Sequence, residues 1–125
     1  MKKKYNRPLS PHLTIYKPQI TSILSISHRI TGIFQSFGLL LISTLILIIY
    51  LGENAYDLFD ILLNSIFGKA FFVIYTFSLL YHLCNGIRHL LWDLGFGFSL
   101  NSVTYSGYFT IFLAFFTNVI LWIYI

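Results

Sequence analysis

The stretch Tyr81–Asp93 reads Tyr-His-Leu-Cys-Asn-Gly-Ile-Arg-His-Leu-Leu-Trp-Asp and crowds ionisable side chains into the end of a long apolar run. His82 lies inside the run; Arg88, His89 and Asp93 lie where it gives out. An ionisable group in hydrocarbon is costly and marks a functional site by default. At about 1.5 Å per residue, a helix here puts His82 roughly 9 Å before Arg88 and roughly 18 Å after Ala70, within the hydrocarbon but towards one face. A buried neutral imidazole suits the iron of a haem, itself a large apolar disc, and cations at the boundary suit the haem propionates. At about 100° per residue, Tyr75, Ser78, Gly86, His89 and Asp93 all fall within about 40° of His82. Gly86 removes bulk one turn beyond His82, where a flat ligand or a second backbone can approach. Arg88 points off this face. The competing reading is structural: His82 hydrogen-bonds to another helix, Gly86 serves packing, and Arg88, His89 and Asp93 are an interfacial cluster reaching for water.

A second polar stripe precedes the first apolar run. Ser22, Ser25, Gly32, Ser36 and Ser43 lie within about 60° of Arg29 on a helical wheel. Gly32 and Ser36 form a small-xxx-small pair, which reads as a packing face. Ser25 and Arg29 are one turn apart and near the inner boundary. A hydroxyl and a fixed cation so placed can hydrogen-bond a quinone carbonyl and balance negative charge on its reduced form. Arg29 can instead pair with Asp93. His28, about 100° away on the wheel, faces either a haem edge or a partner.

These residues need a membrane frame. Of the 125 residues, 57% are hydrophobic and 10% charged, and the mean hydropathy is +0.77. A soluble domain of this size requires far more charge on its surface. The runs Ile30–Gly52, Ala70–Ile87 and Tyr105–Ile125 contain no Lys, Arg, Asp or Glu, and each is close to the roughly 20 residues that cross a bilayer. The expectation is an all-α integral membrane protein: a single domain over 1–125, with a polar inner-face segment over 1–21 and transmembrane helices over about 22–51, 70–91 and 104–125, packed up-down-up. Gly52–Lys69 reads as a loop, with an interfacial helix presenting Tyr56, Phe59 and Leu63. Leu94–Ser102 reads as a turn.

The net charge of +4 is concentrated in Lys2, Lys3, Lys4, Arg7, Lys17, Arg29 and Arg88 on one side, with Lys69 alone on the other. That bias puts the N-terminus on the cytoplasmic or matrix face and argues for a membrane surface rather than nucleic acid. The basic N-terminus lacks the apolar segment of a signal peptide. All three prolines, Pro8, Pro11 and Pro18, fall before the first span and favour extended chain there. Cys84, the one cysteine, excludes an internal disulfide and reads as a small buried hydrophobe. Asn118, deep in the third span, is expected to bond across helices. No phosphate loop, nucleophile–base pair or zinc spacing is present.

Two motifs carry a resemblance. Arg7-Pro-Leu-Ser-Pro-His-Leu-Thr-Ile-Tyr-Lys-Pro is followed by Ser25-Ile-Ser-His-Arg-Ile-Thr-Gly32, and further on stands His82-Leu-Cys-Asn-Gly-Ile-Arg-His-Leu-Leu-Trp-Asp93. Together they closely resemble the large cytochrome b membrane-anchor subunits of succinate dehydrogenase, respiratory complex II. The resemblance spans about Arg7 to Gly97 with no departure at the motif positions; the third span has no strong motif. It implies a non-catalytic subunit of the enzyme complex. With a second small anchor subunit, it would hold the flavoprotein and iron–sulfur subunits on the inner face. It implies haem b between the anchors, with His82 as one axial ligand to the iron and the other from the partner anchor. It also implies ubiquinone bound by Ser25 and Arg29, with His28, Arg29 and His89 near the haem propionates. The compartment is the mitochondrial inner membrane, preferred here, or a bacterial plasma membrane. A fumarate-reducing relative has the same parts, and a non-redox three-span subunit would leave the polar stripes without a role.

Overall fold

The computed structural model describes residues 17–125, so most of the polar segment expected over 1–21, and the first motif up to Tyr16, lie outside the described residues. The described chain is helical with no strand: α1 (Ile20–Ser36), α2 (Gly38–Leu51), α3 (Glu53–Asn64), α4 (Ile66–Asp93) and α5 (Leu100–Tyr124). Three helical stretches are long and apolar enough to cross a membrane: Ile20–Leu51, Ile66–Asp93 and Leu100–Tyr124. In lipid each backbone polar group must be satisfied within its own segment, so runs of this kind form helices.

The first stretch is two helices in series. Phe37 keeps right-handed helical angles (φ −68°, ψ −14°), but its N–H bonds the carbonyl of Phe34, one residue closer than in an α-helix. Ser36 and Ser43 turn their hydroxyls back onto the carbonyls of Ile33 and Leu40, which loosens a helix locally. Gly38 sits against the Tyr75 hydroxyl, where a Cβ would collide with it.

Signals at the helix ends explain where the boundaries differ from the expected ones. Gly52 adopts φ +89°, a conformation that costs glycine little, and turns the chain from α2 into α3. Of the apolar face expected on α3, Phe59 and Leu63 turn inward while Tyr56 is 52% exposed. Ser65 Oγ accepts the N–H of Gly68 at 3.0 Å and caps α4, so that helix starts at Ile66 and takes in Lys69, which was expected in the loop. At the other end of α4 the N–H of Phe96 bonds the Leu91 carbonyl and that of Gly95 bonds the Trp92 carbonyl, with Gly95 at φ +88°. This is the Schellman ending. Ser99 then caps α5 through the N–H of Ser102.

α4 is the central element, packed along both α5 and α1. The bundle is polar inside and apolar outside. The buried hydrophobic residues are Leu24, Tyr81 and Ala114, whereas Ser78, Asn85, Arg88, Thr110 and Asn118 are buried polar or charged. Lipid is as apolar as leucine, so helices associate through close packing and interhelical hydrogen bonds. Asn118 bears out its expected role: its Oδ1 accepts from Thr76 Oγ1 at 2.8 Å, and Trp122 Nε1 donates to the same hydroxyl at 2.8 Å. Tyr81 donates to the Leu24 carbonyl at 3.0 Å and ties α4 to α1. Cys84 packs partly buried against the core.

Candidate functional site

The face of α4 that carries His82 meets α1 at His28, Thr31 and Gly32. His82 Nδ1 lies 3.1 Å from Thr31 Oγ1 and 3.2 Å from the carbonyl oxygen of His28. A carbonyl only accepts, so the contact with the His28 carbonyl assigns the proton to Nδ1 and leaves the lone pair on Nε2, with the Thr31 hydroxyl oxygen as a second acceptor. An imidazole held through Nδ1–H by a carbonyl and a hydroxyl has the orientation and basicity of a metal ligand with its supporting contacts in place.

The ring is also held in position. His28 stacks on His82 with centroids 4.0 Å apart and planes 6° from parallel, and His89 lies 5.2 Å from His28. Among the described residues His28 Nδ1 is buried without a hydrogen-bond partner, an orphan that a polar group of a bound ligand would satisfy. A Cβ on Gly32 would come within 3.1 Å of His82 Cε1, whereas one on Gly86 would stand at an ordinary 3.8 Å from His28 Cε1. His82 itself is approached by Gly32 on α1, while Gly86 makes room for the His28 ring that stacks on His82. The wheel places a residue on its own helix but does not say which neighbour approaches it. Among the described residues no group of three or more His, Cys, Asp or Glu is arranged to hold a metal ion. The donor set is therefore one oriented imidazole with two more beside it. That fits haem iron, which needs few protein ligands because the porphyrin itself coordinates the metal.

Next to the imidazoles a cleft of about 430 Å³ opens between α1 and α4, lined by Ser22, Ser25, Arg29, Arg88, His89 and Trp92 among others, and by no acidic residue. The structure thus brings together Ser25, Arg29 and His89. Among the described residues no ion pair joins Arg29 to Asp93, so that alternative is not realised. The placement of Arg88 corrects the reading of it as an interfacial residue reaching for water. It is 5% exposed and turned towards α5. Its guanidinium donates to Ser106 Oγ (3.0 Å), the Val103 carbonyl (2.9 Å) and Asn85 Oδ1 (3.3 Å), and lies 4.1 Å from the centre of the Trp92 ring. A central helix buries two sides, and the Arg88 side was hidden because its partners lie in a span with no motif. Sequence reasoning also missed Thr31; its one signal was a hydroxyl one turn after His28, inside the first motif.

As a class, the chain is a three-span helical membrane protein with a histidine-bearing polar seam and a cationic cleft beside it. Comparison with known proteins is specific about its family. The family described as "Succinate dehydrogenase/Fumarate reductase transmembrane subunit" matches residues 3–121. The chain is 46% identical over 121 residues to the succinate dehydrogenase cytochrome b556 subunit of Rickettsia prowazekii, covering 95% of this chain and 94% of that one. It is 46% identical over 116 residues to the cytochrome b560 subunit of Marchantia polymorpha, covering 89% and 85%. It is 44% identical over 112 residues to the mitochondrial cytochrome b560 subunit of Mus musculus, covering 87% and 66%. The chain belongs to the succinate dehydrogenase/fumarate reductase transmembrane subunit family.

Proposed function

We propose that this chain is the membrane-anchor cytochrome b subunit of a succinate:ubiquinone oxidoreductase. It holds haem b through His82 and forms part of the site where ubiquinone is reduced; it does not itself oxidise succinate. The observation that carries this reading is the pair of sites on α1 and α4. His82 is fixed through Nδ1 by Thr31 and His28, and the Ser25–Arg29 cleft adjoins it.

In this account His82 Nε2 would hold the haem iron, and His28, Arg29 and His89 would receive its propionates. Bound haem supplies a one-electron carrier. Ser25 and Arg29 orient a quinone carbonyl by hydrogen bond and charge. A second small anchor subunit would share the haem, and the iron–sulfur and flavoprotein subunits would dock on the inner face. The Lys and Arg bias supports an N-terminus on the cytoplasmic or matrix side. Relatives from a Rickettsia and from mouse mitochondria support an energy-transducing inner membrane. The family description includes fumarate reductases; the relatives' names support the direction from succinate to quinone.

The test is Arg29→Ala in the assembled complex. Reduction of ubiquinone by succinate is expected to fall at least about tenfold, the effect of one charged donor, while succinate oxidation with a soluble dye acceptor is retained. Equal loss in both assays would assign Arg29 to assembly and count against the quinone site.

A further inference from the structure

Arg88 is a buried cation without a counter-ion. Its three hydrogen-bond acceptors, Ser106 Oγ, Asn85 Oδ1 and the Val103 carbonyl, are all neutral, as is the Trp92 ring beside it. Among the described residues no carboxylate reaches ion-pair distance. A guanidinium does not give up its proton in a protein, so the charge stays. If Arg88 only joined α4 to α5, a neutral amide would do, as Asn118 does in the same pair of helices. A full charge held away from water costs more than such an amide, so the helix contacts alone do not call for it. Arg88 also lines the cleft, together with Arg29 on the opposite helix, the hydroxyls of Ser22 and Ser25, and no acid among the described residues.

The geometry points to Arg88 as the fixed positive charge of that cleft, held rigid by α5 and Trp92, which raises the affinity of the cleft for an electron-rich oxygen of the quinone headgroup. This rests on the reading of the cleft as the quinone site and adds to it a second cation and a role for the third span. Arg29 is exposed, whereas Arg88 is buried and clamped. A preorganised charge favours ligand oxygen without reorganising as charge develops there. Arg88 acts through its field and is a positioning residue in this sense.

The decisive variant is Ser106→Asp, because it keeps Arg88 in place and cancels its charge with a carboxylate at the position of the Ser106 hydroxyl. It is compared with Arg88→Lys, which keeps the charge and loses the fork. Both are made in the complete complex and measured three ways: succinate oxidation with a soluble dye, KM and kcat for a short-chain ubiquinone, and equilibrium binding of that quinone by calorimetry. We expect Ser106→Asp to oxidise succinate at the wild-type rate with dye, yet to bind the quinone about tenfold more weakly with a matching rise in KM. Arg88→Lys should stay within about threefold of wild type. Unchanged quinone binding in Ser106→Asp would overturn the inference, since a merely structural Arg88 gains an ion pair there. Loss of the dye assay in both variants would also overturn it, by making Arg88 an assembly contact. Arg29→Ala separates the two levels: if it too leaves quinone binding unchanged, the cleft reading itself fails. If Arg29→Ala weakens binding and Ser106→Asp does not, only the role of Arg88 fails.

Discussion

Where α1 meets α4 the contacts include the His28 imidazole, the Thr31 hydroxyl and the Gln35 amide, within hydrogen-bond or stacking distance of their partners. α2, which continues the same apolar stretch, is built mostly of Leu and Ile and buries no side chain. Between α2, α3 and α4 lies an apolar cleft of about 500 Å³, lined by Leu41, Leu45, Phe59, Leu63, Phe72 and Leu79 among others. The contrast follows from the solvent. An apolar side chain gains little by leaving lipid for protein, so α2 is under no pressure to pack. A polar side chain in hydrocarbon must find a partner, so the half of the bundle that carries the chemistry is also the half that is fixed.

The largest effect is expected where the inner seam has no slack. A Cβ on Gly107 would lie 2.7 Å from Leu24 Cδ1, and Leu24 is 1% exposed. Gly107→Ala should therefore destabilise the bundle by about 1–3 kcal/mol, read as a lower midpoint for thermal unfolding in detergent. A midpoint equal to wild type would show that the seam can give. A smaller effect is expected at the imidazoles. Gly32→Ala should press on His82 and lower haem retention several-fold after purification, while Gly86→Ala, with ordinary contact distances, should leave haem content as it was. The reverse order would restore Gly86 as the gap beside His82. The smallest effect is expected in α2: Leu45→Ala should shift stability by no more than about 0.5 kcal/mol. A larger shift would mean that the outer cleft is packed in the assembled complex and would blur the contrast between the two halves.

Much of this arrangement is readable in the sequence because the membrane simplifies it. Charge-free runs mark the spans, and His82, Ser25 and Arg29 stand out against apolar neighbours. Other features depended on which helix faces which. Helical phase put Gly86 on the His82 face, but the glycine that His82 touches is Gly32, because α1 crosses there. Arg88 lay off that face and looked peripheral, yet it is buried because α4 has neighbours on two sides. Ser106 and Gly107 gave no signal, being ordinary small residues whose role exists only against Arg88 and Leu24. The start of α4 was placed late because Ser65, a capping hydroxyl, stands before a lysine that looked like loop.

The central claim is that the polar half of the bundle is a haem site organised on His82. It is tested most directly by the reduced-minus-oxidised absorption spectrum of the purified complex, wild type against His82→Ala. The account predicts a b-type haem signal in the wild type. In the variant that signal should be lost or strongly shifted, with the subunits still assembled and succinate oxidation by a soluble dye retained. An unchanged b-type spectrum in the assembled His82→Ala complex would contradict it.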